Sequence, residues 1–547
     1  MKRIDYVTLL GASLLWMQPS ISPAREVILN PDPGGAPVIA PALATAAPGD
    51  TLRLRKGLYR EVVILTKSVS LVGEAGAVLD PSEPFHPQWE PALAIGKGVY
   101  RAAVARRPRV LCLGGKIVAE IDERRKETQT EGPWFWQRLL ATGTRLSGFR
   151  CIRAVWIYRT GEQAIYLHLV DDADPRTLIW SCVWSTDPVI HFKAATNAVI
   201  SGLTLAHGYN GVVLEGGSRR CTVSRCVIGP WDRNGIYLTA GATECLAEGN
   251  EVFRGAYEDW VPHNTSRELY EIWQIHKLAG FYDRVGIDLV RAGAGNRIHA
   301  NHVYETFDGI NLGDSSVENL DIPLTRPEDG RDTEIWENVI ERTRDSGLEL
   351  GAGCINVKVH HNVLRQTHGG LRFKLPRLGP VFIYRNLLVG GMPFNIWYSM
   401  DDSPAEGYVY HNTIIGGQTA LAYTSMNTNR PGILGAAHWH YLNNLVIGKE
   451  GFFRTGRTKI PMGFTADYNI VVGGSRPYPD DPTRDSHSRY VEAVPVAPGF
   501  PPKPLPGSPA VAAGKDLSTY FHGRPLPGCE PGYFQGKAPD AGALEVE

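Results

Sequence analysis

Glu334-Ile-Trp-Glu-Asn-Val-Ile-Glu-Arg-Thr-Arg-Asp-Ser-Gly-Leu-Glu-Leu350 is answered 24 residues later by Lys358-Val-His-His-Asn-Val-Leu-Arg-Gln-Thr-His-Gly-Gly-Leu-Arg-Phe-Lys374. Each stretch reads as a short alternating strand, an asparagine followed by aliphatics, and a second strand of form Gly-aliphatic-x-aliphatic. The asparagine recurs at Asn250, Asn301, Asn338, Asn362, Asn386, Asn412, Asn444 and Asn469, at intervals of 51, 37, 24, 24, 26, 32 and 25 residues. With a unit of about 24, the interval of 51 is two units or one carrying an insertion, and 37 is one unit with extra chain. Composition breaks at 254–282 and 315–331 mark those insertions.

The second strand recurs as Gly211-Val-Val-Leu, Gly235-Ile-Tyr-Leu, Gly286-Ile-Asp-Leu, Gly309-Ile-Asn-Leu, Gly347-Leu-Glu-Leu and Gly370-Leu-Arg-Phe. Period-2 alternation gives each strand one buried face. A unit this short and without a helix cannot bury that face alone, whereas stacked units can. The expectation is an all-β solenoid, a parallel β-helix, with equivalent positions of successive coils about 4.8 Å apart. Its asparagines form an internal ladder and are structural.

The 547 residues carry 56 Lys plus Arg against 57 Asp plus Glu, a formal net charge of -1. No global field therefore points to nucleic acid or an anionic membrane as partner. The 59 glycines and 39 prolines argue for turns over long helices. Residues 1–24 have the order of a signal peptide, a basic start and a short apolar run, so the protein is expected to be secreted or periplasmic. No later apolar run reaches the roughly 20 residues a membrane span needs. The eight cysteines lack C-x-x-C spacing and read as small buried residues.

The coils over 192–475 resemble the right-handed parallel β-helix superfamily of pectate lyases, polygalacturonases, chondroitinase B and alginate lyases. Pro48-Gly-Asp-Thr-Leu-Arg-Leu-Arg-Lys-Gly-Leu-Tyr-Arg-Glu resembles the usual first coil of such proteins, here within 25–86. Gly507-Ser-Pro-Ala-Val-Ala-Ala-Gly and Asp540-Ala-Gly-Ala-Leu-Glu resemble their C-terminal tail, here the proline-rich 476–547. Between them, 87–191 loses the coil pattern and reads as an inserted β-rich subdomain, similar to the insertion in β-helical xylosidases and fucosidases. The fold hosts many chemistries, so the site must decide the activity.

On the Gly-aliphatic-x-aliphatic strand the x position points outward, and its occupants are Val213, Tyr237, Asp288, Asn311, Glu349 and Arg372; the next outward position ends on Gly351 and Lys374. This column is expected on one exposed strand face. Asp288 and Glu349, two coils apart, have backbones separated by roughly 10 Å, near the carboxyl gap of an inverting glycosidase, with Asp288 as base and Glu349 as acid. Asp308 and Asp345, just before Gly309 and Gly347, lie in adjacent coils at about 5 Å, where like-charge repulsion raises one pKa; turn formation is the plainer reading of Asp345.

Arg372 and Lys374 resemble the Arg-x-Lys segment with which polygalacturonases hold a uronate carboxylate, which implies an acidic glycan. The resemblance to chondroitinase B and alginate lyases implies a second reading, with calcium held by Asp288, Asn311 and Glu349. The chain departs from that pattern at Gly351 and has no lysine near Cys354 to Asn356. In the 254–282 insertion, Trp260, Trp273 and His276 offer faces on which sugar rings stack, or simply pin the loop. The expectation is a monomeric polysaccharide-degrading enzyme, a glycoside hydrolase without cofactor. The alternatives are a uronate lyase with calcium or an Arg/Lys site, and a non-catalytic glycan-binding surface protein.

Overall fold

A computed structural model describes residues 24–121, 135–142, 151–260, 283–313, 329–351, 353–374, 378–397, 406–416, 422–424, 438–448, 465–474, 476, 481–493 and 496–546. Among the described residues, successive coils pair in parallel to build a 13-stranded sheet and a 20-stranded sheet that wraps the remaining faces. Register is conserved from coil to coil: Leu71 aligns with Ile200, Ile200 with Val223, and Val223 with Ala247. Each of these is at most 1% exposed. One inward column thus runs the length of the solenoid, each large aliphatic side chain contributing about 1.5–3 kcal/mol by burial.

The asparagine ladder is continuous. Asn338 Nδ2 donates to Asn362 Oδ1, Asn362 Nδ2 to Asn386 Oδ1 and Asn386 Nδ2 to Asn412 Oδ1, each at 3.0 Å. Each amide oxygen also accepts the backbone N–H of the preceding ladder asparagine. Asn250, Asn301, Asn444 and Asn469 extend the series, and all eight are at most 2% exposed. The residue before each rung is left-handed, as at His361 (φ 55°) and Arg385 (φ 52°). That conformation is unfavourable for a non-glycine residue and is held by the bonds of the asparagine that follows.

The glycine that opens the outward column strand is required by close approach at Gly211, Gly235, Gly286 and Gly309. A Cβ on Gly309 would sit 2.5 Å from Ile340 Cγ2 and nearer still to the carbonyl oxygen of Gly347; one on Gly235 would sit 2.5 Å from Gly286 O. Only glycine lets the coils stack at this corner.

Strand Ala77–Leu79 leaves the solenoid and Ile190–Lys193 re-enters it, pairing with Val63–Leu65 below and Gly208–Glu215 above. The chain between forms two small sheets, Val99–Ala103, Ala154–Arg159 and Ala164–Leu169 pairing antiparallel in one, and Val110–Leu113, Trp180–Val183 and Glu83–Phe85 in the other. The excursion thus reaches from Glu83 to Val183 by its paired strands. At the other end, residues 496–546 lie along the coils, with Leu517, Leu526 and Cys529 packed on Tyr384, Tyr408 and Tyr410. All eight cysteines are buried thiols. Among the described residues no helix is long and apolar enough to cross a membrane. Residues 1–23 lie outside the described chain.

Candidate functional site

The x-position column forms as the spacing predicts. Tyr237 pairs with Asp288, Asp288 with Asn311, Asn311 with Glu349 and Glu349 with Arg372, while the flanking Ile287, Ile310, Leu348 and Leu371 fill the core. The face is not exposed, however. Asp288 is 8%, Asn311 9%, Glu349 4% and Arg372 3% exposed. Alternation places a side chain outward but is blind to what packs over it; here part of the cover is the cluster itself, closing on Arg372.

Arg372 Nη2 lies 2.7 Å from Asp345 Oδ1, and its Nη1 lies 3.5 Å from Glu349 Oε2. The hydroxyl of Ser346 donates to Glu349 Oε2 at 3.0 Å. Asp308 Oδ1 accepts the backbone N–H of Ser346 at 3.0 Å. Burial works against the Arg372 charge, but Asp345, Glu349 and Asp308 together outweigh it and hold the guanidinium above its ordinary range. A Cβ on Gly369 would sit 2.9 Å from Arg372 Nη2, so the glycine leaves the room the guanidinium occupies.

The two aspartates expected to face each other are one residue out of step. Ile310 pairs with Leu348, which puts Asp308 level with Ser346, while the N–H of Asp345 bonds the carbonyl of Phe307 at 2.8 Å. Asp345 precedes Gly347 by two residues and Asp308 precedes Gly309 by one. An arginine, rather than a shared proton, answers the charge of Asp345. The raised carboxyl is Asp288: burial first, then the charges of Asp283 and Glu349, lift it to about 7 against the opposing pull of Arg233. Among the described residues, Asp288 Oδ1 and Asn311 Oδ1 are buried without a hydrogen-bond partner. Two adjacent rungs therefore present unsatisfied acceptors, an arrangement that invites a donor from a ligand.

Sequence reading passed over His368. It is half-buried, its Nδ1 has no hydrogen-bond partner among the described residues, and burial pushes its imidazole down despite the charge of Asp345. The alignment of Gly369 with Ser346 brings it level with Asp345. Its place two residues before Gly370, like that of Asp345 before Gly347, was the available signal.

A wall stands beside the column. Ala256 bridges Ile117, Glu258 bridges Ile152, and Arg153 pairs with Asp259 at 2.8 Å, so the stretch 256–259 and the inserted subdomain form one surface. Arg344 ties that surface to the solenoid: its guanidinium lies 4.3 Å over the Trp260 ring and donates to Asp259 O at 3.1 Å. Trp260 is thus half-buried with a cation on one face. Trp273, His276, the Lys374 side chain, and most of 254–282 and 315–331 lie outside the described residues.

Calcium held by Asp288, Asn311 and Glu349 does not suit these contacts. Glu349 Oε2 already faces the Arg372 guanidinium, whose charge would repel a cation there.

Residues 188–373 match the family described as "Right handed beta helix region". The fold is thus a parallel β-helix, right-handed by the family matched over those residues. Among solved structures it resembles XylC with xylose (13% identity, 84% of each chain, TM-score 0.47). It also resembles the pectate lyase Pel9A (12% identity, 96% of this chain and 98% of that one, TM-score 0.41). A third is the polygalacturonase from Erwinia carotovora ssp. carotovora (11% identity, 81% and 96%, TM-score 0.42). These three act on or bind carbohydrate by their titles, and at such TM-scores the fold rests on the register and the family match instead. No curated protein matches the sequence.

Proposed function

We propose that the protein is a glycoside hydrolase whose acid is Asp288 and whose base is Glu349. The observation that carries this reading is the contrast between the two carboxyls: Asp288 is buried with a pKa near 7, whereas Glu349 faces a guanidinium and a hydroxyl donor. That environment reverses the roles expected from spacing, because a general acid must hold its proton near neutral pH. Asp288 donates that proton to the glycosidic oxygen as the C1–O bond breaks. Glu349 takes a proton from the water whose oxygen attacks C1, and solvent restores both groups. The two strand spacings that separate them give a backbone gap of roughly 10 Å, which suits a water-bridged inversion.

Asp345 and Arg372 position Glu349, and Asp308 fixes the Ser346 backbone beside it. Trp260 lines the approach. A uronate lyase finds less support, since Arg372 is engaged by Asp345 and Glu349. Export, expected from residues 1–24, belongs to the same proposal and is checked by cell fractionation. The test of activity is release of reducing ends from a glycan panel by the protein and by Asp288→Asn and Glu349→Gln. Unsaturated uronate products, or full activity in both variants, would reject the assignment.

A further inference from the structure

Cys221 and Cys245 hold the same place on adjacent coils. Thr222 aligns with Leu246, and the N–H of Leu246 donates to the carbonyl of Cys221 at 2.9 Å. A left-handed residue precedes each cysteine, Arg220 (φ 53°) and Glu244 (φ 54°), so the two backbones enter the position alike. One parallel strand spacing, about 4.8 Å, therefore separates the two Cα atoms. Disulfides join Cα atoms roughly 4.4–6.8 Å apart, so a small approach of the two Cβ atoms bridges the sulfurs.

Three other cysteines are placed differently. Cys226 donates its N–H to Asn250 Oδ1, so an asparagine stands over it. Cys112 pairs with Ser181 and Cys182 with Leu111, and the two thiols pack into different clusters. The column of Cys221 and Cys245 ends at Asn296 above, whose Oδ1 accepts the Cys245 N–H at 3.0 Å, and at Ala198 below, whose carbonyl accepts the N–H of Thr222. Both cysteines are wholly buried. The neighbouring Cys245 thiol, within hydrogen-bond reach, holds Cys221 below the ordinary thiol range in spite of burial, which suits Cys221 as the attacking sulfur.

We propose that Cys221 and Cys245 are an intercoil disulfide site, closed while the solenoid folds by an oxidant of the glutathione-disulfide class. The Cys221 thiolate attacks one sulfur of the oxidant, whose S–S bond breaks and whose other sulfur leaves. The Cys245 thiolate then attacks the Cys221 sulfur and expels the first. The two thiol protons pass to the two departing thiolates, and the oxidant takes up two electrons as two thiols. Closure of the coils afterwards shields the new bond from reductants. Cys221 leads into strand Trp231–Leu238, which carries Tyr237, while Cys245 opens the coil that supplies the 256–259 wall and Asp288. The disulfide ties that coil to the one below it, whatever reaction the site performs.

The test is a peptide map of the full-length protein produced in an oxidising and in a reducing compartment. Each sample is unfolded in denaturant with excess alkylating reagent and digested with trypsin. Cleavage after Arg220, Arg225, Arg233 and Arg254 puts Cys221, Cys226 and Cys245 on separate peptides. From the oxidising compartment, most molecules are expected to give peptide 221–225 joined to peptide 234–254, two hydrogens lighter than their sum. From the reducing compartment both peptides should be alkylated. The oxidised parent should melt several degrees above the reduced one, and Cys221→Ala/Cys245→Ala should melt alike from both sources. Alkylation of both cysteines in the oxidising sample, or a link from either to another cysteine, overturns the proposal. Where the double variant does not fold, the map of the parent decides by itself.

Discussion

Arg372 on one coil and Asp345 on the coil below it lie 2.7 Å apart, Nη2 to Oδ1, both nearly excluded from water. The contact is made possible by the register shift between Thr343 and Ser346, which moves Asp345 off the line of Asp308 and toward the arginine. A cation is thereby fixed in the middle of an acidic cluster, and the cluster's stability and chemistry follow from it.

Removing that cation leaves carboxylates buried and unanswered. Arg372→Met is expected to destabilise by about 3–5 kcal/mol, read as a lower urea midpoint at pH 7.5. Arg372→Lys keeps the charge but not the two-armed reach, and should fall between the two proteins.

The raised Asp288 gives two signatures with pH. Its carboxyl moves from an ordinary 3.8 to about 7, so the folded state binds its proton more tightly than the unfolded state. The resulting stability is fully present below about pH 4 and is lost as pH rises through about 7. Asp288→Asn should remove this slope and leave the protein more stable than the parent at pH 8, by at most about 4 kcal/mol. The same proton drives catalysis, so kcat/KM should fall on the alkaline side of pH 7 in the parent protein.

Substitution at the two carboxyls separates chemistry from folding. Glu349→Gln and Asp288→Asn are each expected to lower turnover by about 10² to 10⁴. Circular dichroism and melting at pH 7 should show a folded solenoid in both.

Close stacking can be tested away from the site. Gly309→Ala puts a methyl group 2.5 Å from Ile340 Cγ2 and against the Gly347 carbonyl, and should cost several kcal/mol because backbone must move. Gly161→Ala, with nothing within 4 Å, is the control and should be close to neutral. Comparable losses at both positions would refute the close-approach account.

The wall depends on Arg344. Arg344→Ala removes the stack on Trp260 and the bond to Asp259. The expected result is faster amide exchange over 255–260 and a several-fold higher KM with kcat little changed. Unchanged exchange would show that the contacts with Ile117 and Ile152 suffice to hold the wall.

The solenoid was legible in the sequence because its information is local and repeated. A ladder asparagine must recur once per coil to satisfy the coil before it, and Gly-aliphatic-x-aliphatic must recur because a Cβ at that corner would strike the next coil. Asn338, Asn362 and Asn386 could thus be placed without coordinates, and so could the alignment of Asp288, Asn311, Glu349 and Arg372. Chain spacing fixes which rung a residue occupies, since strand period and coil length are both set by backbone hydrogen bonding. Burial, proton affinity and partner choice were decided only by the tertiary structure. The one-residue offset of Asp345 from Asp308 arises at a bulge, the pairing of Arg372 depends on room left by Gly369, and the pKa of Asp288 depends on the water excluded around it. Those are properties of three-dimensional packing, which sum contributions from distant coils and insertions, and no repeat in the chain encodes them.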